Sequence, residues 1–173
     1  MNADVRVTKE TRNGATVWVK RAAKDYRNGF QRVLFSLCFC QTQTAREAAA
    51  IRALAKRGAV VPRIVEERAD VLVTEDIGVM LEQLIRGGTA EENQSLVVAA
   101  AQALEALHRA GGWHGNAALR NLTRTADGRI GMFDFEYGVP HCLPLTLKQA
   151  YDLWLLCSSA IGLDPTLRLA QAA

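Results

Sequence analysis

The sequence predicts an α+β fold in two lobes, a small β-rich half followed by a reduced, mostly helical half. Three observations lead there. β-prone runs bounded by turn residues recur through residues 1–76 on either side of one well-punctuated helix. Two capping-box sequences, at Thr44 and Thr89, each open an Ala- and Leu-rich run. Beyond Thr89 the apolar spacing is helical, broken once by a loop and a short hairpin. Residues 1–76 are therefore expected as the first lobe and 77–173 as the second, and clefts between lobes are favoured ligand sites.

Val5–Thr8 and Thr16–Lys20 are β-prone, and the Asn13-Gly14 between them is a strong hairpin signal. Residues 22–43 are expected to be partly helical or irregular, with an apolar run that ends at Cys40. Thr44-Ala45-Arg46-Glu47 matches a capping box, which predicts a helix from Thr44 to Arg57 stopped by Gly58, with Pro62 blocking its continuation. Arg63–Glu67 and Val71–Glu75 read as two strands joined at Ala69-Asp70. Asp76-Ile77-Gly78 is a linker, followed by the apolar Met80–Ile85. Thr89-Ala90-Glu91-Glu92 opens a long helix, with Leu96, Val97, Ala100, Leu104 and Leu107 on one face and Gly111-Gly112 at its end. Asn121–Thr123 and Ile130–Phe133 form a hairpin around Asp127-Gly128, and Leu147–Ile161 is an apolar helix.

Composition narrows the class. A chain of 173 residues that is 49% apolar can build one domain or two small lobes with a real core. A net charge of +3 suits an anionic ligand such as a nucleotide without demanding nucleic acid or a membrane surface. Lys20, Arg21, Lys24, Arg27 and Arg32 cluster, but they lack the aromatic interleaving or recognition-helix pattern of a nucleic-acid binder. Cys38, Cys40, Cys142 and Cys157 lie in apolar stretches, which predicts buried, reduced thiols rather than a zinc site. The start of the chain has no apolar signal-peptide core, and Val33–Cys40 is far short of the ~20 residues a bilayer requires. A cytoplasmic protein without a transmembrane segment is expected.

Two groups of residues could carry chemistry. Asn121 and Asp134 stand thirteen positions apart across the Asp127-Gly128 turn, with His114 seven residues before Asn121. An amide oxygen and a carboxylate suit Mg²⁺, a hard ion that often takes one or two protein ligands plus phosphates. Lys20 ends the strand Val17-Trp18-Val19-Lys20 and could meet a phosphate. Glu47 fits the capping box, yet it also shares a helix face with Ile51 and Leu54, where a carboxylate calls for a cation such as Lys20. His114, beside Gly115, reads as a brace for the loop backbone. His108 reads as a helix-surface or lobe-interface residue. Asp152 reads equally well as a buried anchor for the His114 loop and as a surface residue.

These residues, in this order and spacing, resemble the protein-kinase-like superfamily. Within it they are most similar to the small bacterial members grouped with lipopolysaccharide core (Kdo-type) sugar kinases and toluene-tolerance proteins. The resemblance covers roughly Val17 to Leu156. It implies a kinase-like two-lobed fold that binds ATP and Mg²⁺ in the cleft. Lys20 would be the phosphate-contacting lysine, Glu47 its helix partner, and Glu75 and Ile77 the hinge that receives adenine through its backbone. Asn121 and Asp134 would hold the metal. His114-Gly115-Asn116 lies on the H-x-D loop, so Asn116 occupies the place of the catalytic aspartate.

Three departures qualify the expectation. No glycine-rich run precedes Lys20 apart from Gly14. Only 39 residues follow Asp134, too few for a peptide-docking platform, so a small-molecule or lipid-linked sugar-like hydroxyl is the expected acceptor, with membrane contact at most peripheral. Asparagine at 116 orients a hydroxyl but takes no proton from it, and general-base help is worth ~10²–10⁴-fold. Glu136 is the nearby carboxylate that could substitute. The chain is expected either to be a weak phosphotransferase or to be a pseudokinase that binds nucleotide or acts as a scaffold.

Overall fold

The computed structural model describes residues 7–21, 43–135, 143–164 and 167. The expectations placed on residues 22–42, including Lys24, Arg27, Arg32, Cys38 and Cys40, lie outside the described residues, as do those on Glu136 and Cys142. The chain is mixed α+β. Its contacts divide it into two compact units, Met1–Ala50 with Arg63–Asp76, and Ile51–Pro62 with Ile77–Ala173.

The first unit holds a four-stranded antiparallel sheet. Strands β1 (Val7–Arg12) and β2 (Ala15–Arg21) form the expected hairpin, and β3 (Ile64–Glu67) and β4 (Val71–Glu75) complete the order β1-β2-β4-β3. Asn13 and Gly14 both have positive φ, 50° and 76°, the backbone a tight two-residue hairpin turn requires. β1 reaches Arg12 rather than stopping at Thr8. Its charged residues conceal a strand that lies at the sheet edge, where Arg12 bonds Glu10 and Glu66 at 3.0 Å each. Val17, Val19 and Val73 are buried together on one face, with Val71 packed against them. Alternation puts Lys20 on the opposite face from Val19.

Helix α1 (Gln43–Ala55) corrects one expectation. The helix is already under way at Gln43, so Thr44 lies inside it and not at its N-terminal cap. The Thr44 hydroxyl donates to the Ala69 carbonyl at 3.2 Å, and the Glu47 carboxylate pairs with Lys20. It ends at Ala55, two residues short of the expected Arg57, and the expected Gly58 stop, at φ 82°, donates its N–H to the Ala55 carbonyl.

In the second unit β5 (Val79–Met80) pairs with β6 (Leu122–Arg124), which pairs with β7 (Ile130–Met132), a small antiparallel sheet in which β5 was not anticipated. A two-residue strand is too short to show alternation. The chain then forms α2 (Leu81–Gly87) and α3 (Ala90–Arg109). The capping box at Thr89 is present in full: Glu92 N–H donates to the Thr89 hydroxyl, and Thr89 N–H donates to the Glu92 carboxylate at 2.8 Å. Asn93, Val97, Ala100, Leu104 and Leu107 are buried at spacings of four and three, one helical stripe. A 3₁₀ turn (Leu119–Asn121) leads into β6. Helix α4 (Leu145–Leu163) extends two residues beyond its expected span at each end. Among the described residues no helix is long and apolar enough to cross a membrane.

Candidate functional site

The sequence-predicted residues fall into two groups, one in each unit. In the first unit Lys20, near the end of β2, meets Glu47 of α1, Nζ to Oε2 at 2.7 Å. Their side chains are only 10% and 8% exposed. A charge removed from water this far needs its partner, so the pair is set by the fold and not by chance contact. Glu75, at the end of β4, donates its N–H to the Arg63 carbonyl at 3.0 Å, and its carboxylate takes the Arg63 guanidinium. That hydrogen bond holds the Glu75 carboxyl below the usual carboxylate range. Asp76 N–H donates to the Thr16 carbonyl, so the chain leaving β4 is tied to β2.

In the second unit the loop from Gly112 to Asn121 is built on one carboxylate. Asp152 of α4 is fully buried. Its Oδ2 accepts from the His114 N–H at 2.6 Å and its Oδ1 from the Gly115 N–H at 2.7 Å. His108 Nε2, from the last turn of α3, lies 3.0 Å from Oδ2. An ionised carboxylate only accepts, so that nitrogen carries the proton. Of the two readings of Asp152, the buried anchor is the one the structure realises. Gln149, one turn earlier, donates to the His108 and Gly112 carbonyls, and Ser159 accepts from the Leu119 N–H. Gln149, Asp152, Leu156 and Ser159 recur at spacings of three and four, so one face of α4 grips the loop.

His114 braces the loop as expected. Its Nδ1 accepts the Asn116 N–H at 3.2 Å, and its ring lies 4.8 Å from that of Phe135. Burial pushes the imidazole below its ordinary value, while Asp152, Asp134 and the Asn121 backbone pull it back up. A neutral ring that accepts at Nδ1 bears its proton on Nε2.

Asn116, Asn121 and the approach to Asp134 are brought together by the backbone. Asn121 Nδ2 donates to the Asn116 carbonyl at 2.8 Å, which also accepts from Ala118 N–H at 2.8 Å. Only the amide nitrogen can face a carbonyl, which assigns the Asn121 side chain and leaves Oδ1 as the atom that could accept a bond or serve a cation. The Asn121 carbonyl accepts the Phe133 N–H at 3.1 Å, one residue before Asp134. Asp134 itself turns the chain with φ 58°, a left-handed conformation that aspartate tolerates better than most residues. Ile77 packs under the hairpin: a Cβ on Gly131 would come within 2.7 Å of its Cδ1 and 2.6 Å of Thr123 Oγ1. The donor set on this side is an amide oxygen and a carboxylate. No cluster of three or more His, Cys, Asp or Glu side chains suited to a metal occurs among the described residues.

Two structural residues escaped the sequence reading. His108 looked like a surface or lobe-interface residue, but it follows buried Leu107 and its side chain, 11% exposed, lies against Asp152. Ser159 carries no signal of its own; its place seven residues after Asp152 gave the only clue.

Mixed α+β architecture is the class the structure defines. Among solved structures the chain is similar to the complex of Rv3197 with erythromycin from Mycobacterium tuberculosis, at 24% identity and a TM-score of 0.54. The match covers 88% of this chain and 50% of that one, so this chain spans about half that length. At this identity the likeness concerns the fold alone. No protein-family model matches the sequence, and no curated protein matches it either.

Proposed function

We propose that this chain is a member of the protein-kinase-like superfamily, with the two-lobed fold of that class, and that it binds ATP with Mg²⁺. The observation that carries the reading is the wiring of Asn121. Its side chain is pinned to the Asn116 carbonyl and its backbone to Phe133, so Oδ1 and the residue at Asp134 are held in fixed register by two separate bonds. Isolated turn residues do not need this. Two hard oxygen donors fit Mg²⁺, which completes its shell with waters and phosphate oxygens. Bound there, the ion would neutralise charge on the phosphates. In this reading Lys20, paired with Glu47, would be the phosphate-contacting lysine, and the backbone of Glu75 and Ile77 would receive adenine. The acceptor is a small or lipid-linked sugar-like hydroxyl.

Asn116 favours a second reading on the same fold, a pseudokinase that binds nucleotide or acts as a scaffold. Phosphoryl transfer rests largely on positioning and charge stabilisation, so slow transfer without a general base is physically allowed.

Thermal unfolding with and without ATP plus Mg²⁺ tests the nucleotide site. Saturation a hundred-fold above Kd stabilises by ~2.7 kcal/mol. The parent should shift only when both are present, and Asp134→Ala should abolish the shift. A parent that melts identically with and without nucleotide removes the ATP reading. ATP turnover by Asn116→Asp then separates the two forms: a rise of ~10²-fold or more marks an impaired enzyme, and none marks a pseudokinase.

A further inference from the structure

Helix α4 has two faces, and among the described residues only one of them is covered. The face bearing Gln149, Asp152, Leu156 and Ser159 holds the loop. On the opposite face Leu147 is 54% exposed, Trp154 60% and Ile161 53%. Ala150, Tyr151, Cys157 and Ser158 fill the positions between, and the Tyr151 and Trp154 rings stack 5.7 Å apart. At about 100° per residue these seven side chains fall within roughly 60° of Trp154, one stripe along the helix. From Gln149 to Leu163 the only charged residue is Asp152, which is buried on the far side.

We propose that this stripe is the docking surface for a second copy of the chain, in an antiparallel α4–α4 pair about a two-fold axis through Trp154. A two-fold interface must be self-complementary, each residue meeting a partner that meets it in return. The stripe has that property. With Trp154 at the axis, Leu147 faces Ile161, Tyr151 faces Cys157 and Ala150 faces Ser158, so the largest flanking side chain meets a small one. A specific pair buries about 1,000 Å² or more in all, and the three large side chains that are more than half exposed, Leu147, Trp154 and Ile161, mark the two ends and the centre of such a patch. A lipid surface fits less well. Interfacial helices border their apolar face with Lys and Arg, and no basic residue follows Lys148 on α4. The pairing is independent of nucleotide. It would clamp the helix whose other face holds the His114 loop.

Sedimentation velocity over a concentration series tests it, with the full chain as parent, Trp154→Glu, Leu147→Lys, Ile161→Glu and the Leu147→Lys/Ile161→Glu double variant. The parent should run as a dimer of its 18.9 kDa chain. Trp154→Glu puts two carboxylates at the axis and should weaken association by roughly a hundred-fold, the scale of a central aromatic anchor. Its melting curve should stay that of the parent monomer, because the side chain is mostly exposed. Each single charge should also dissociate the dimer. The double variant should restore it, because the ammonium introduced at position 147 of each copy then meets the carboxylate introduced at position 161 of the other. A parent that is monomeric throughout overturns the proposal, whether or not it floats with anionic vesicles. So does a dimer that survives Trp154→Glu, or a double variant no better than the singles.

Discussion

Replacing Asp152 with alanine should be among the most destabilising single changes in the second unit. The carboxylate is fully buried and accepts from two backbone amides at 2.6 and 2.7 Å and from His108 at 3.0 Å. Alanine offers no acceptor. Each buried donor left without a partner costs about 1–3 kcal/mol, so two amides alone cost roughly 2–6 kcal/mol. That is a large share of the ~5–15 kcal/mol that holds a typical domain together. Asp152→Asn should fall between parent and alanine, since it keeps one acceptor oxygen but turns an NH₂ group toward a second donor. The measurement is urea unfolding at pH 7 followed by circular dichroism. Glu105→Ala serves as the comparison. Its pair with Arg109 lies at 2.7 Å as well, but the side chains are 56% and 79% exposed, and such pairs contribute about 0.3–0.5 kcal/mol. A loss below ~1 kcal/mol for Asp152→Ala, or one no larger than for Glu105→Ala, would refute the view that this carboxylate carries the loop.

Lys20→Met should cost ~3–5 kcal/mol in the same assay, because it removes the cation that pairs with the buried Glu47 carboxylate, and Lys20→Met with Glu47→Leu should recover most of the loss. A double variant as unstable as the single would mean that the sheet and helix depend on something other than their charge pair. His114 predicts a pH dependence. Burial lowers its pKa in the folded chain from the ordinary 6.5, so as pH falls the unfolded chain binds the proton first. The His114 contribution is therefore complete above about pH 6.5 and declines as the solution is acidified toward the folded-state value. His114→Asn should flatten the stability profile between about pH 7 and 5; an unchanged slope would assign the effect to other groups.

What the sequence disclosed depended on whether a feature is local. The Asn13-Gly14 and Asp127-Gly128 turns, the Thr89 box and the Gly58 stop each lie within a few residues, and each is present. The Thr44 pattern placed the helix start one residue late, and the same two side chains have non-local partners, Ala69 and Lys20, that a local pattern cannot reveal. β1 was cut short for a related reason. Edge strands carry charges that suppress unwanted pairing, so Lys9, Glu10 and Arg12 mask a strand from any hydrophobic criterion. In the candidate site, the spacing from His114 to Asn121 to Asp134 was legible because the chain itself connects them. The anchor was only half legible. Asp152 was singled out, but its partners lie thirty-seven or more positions away, and nothing nearby marks which carboxylate on an apolar helix turns inward.

The loop separates what folding requires from what chemistry would require. Its shape is carried by backbone amides, buried acceptors and the Asn121 side chain. At position 116 the fold uses the backbone alone: the N–H goes to His114 and the carbonyl takes Ala118 and Asn121. Among the described residues the Asn116 side chain makes no hydrogen bond, and it is only half-buried. The identity of that side chain is therefore nearly invisible to stability, and the loop would keep its form whether residue 116 takes a proton or not. Asn116→Asp should accordingly leave the urea midpoint within about 0.5 kcal/mol of the parent, as surface changes usually do. If it does, any ATP turnover gained by the variant reports on proton transfer and not on a reshaped loop. If the substitution instead costs more than ~1 kcal/mol, the side chain has a structural partner, and scaffold and chemistry are not separable at residue 116.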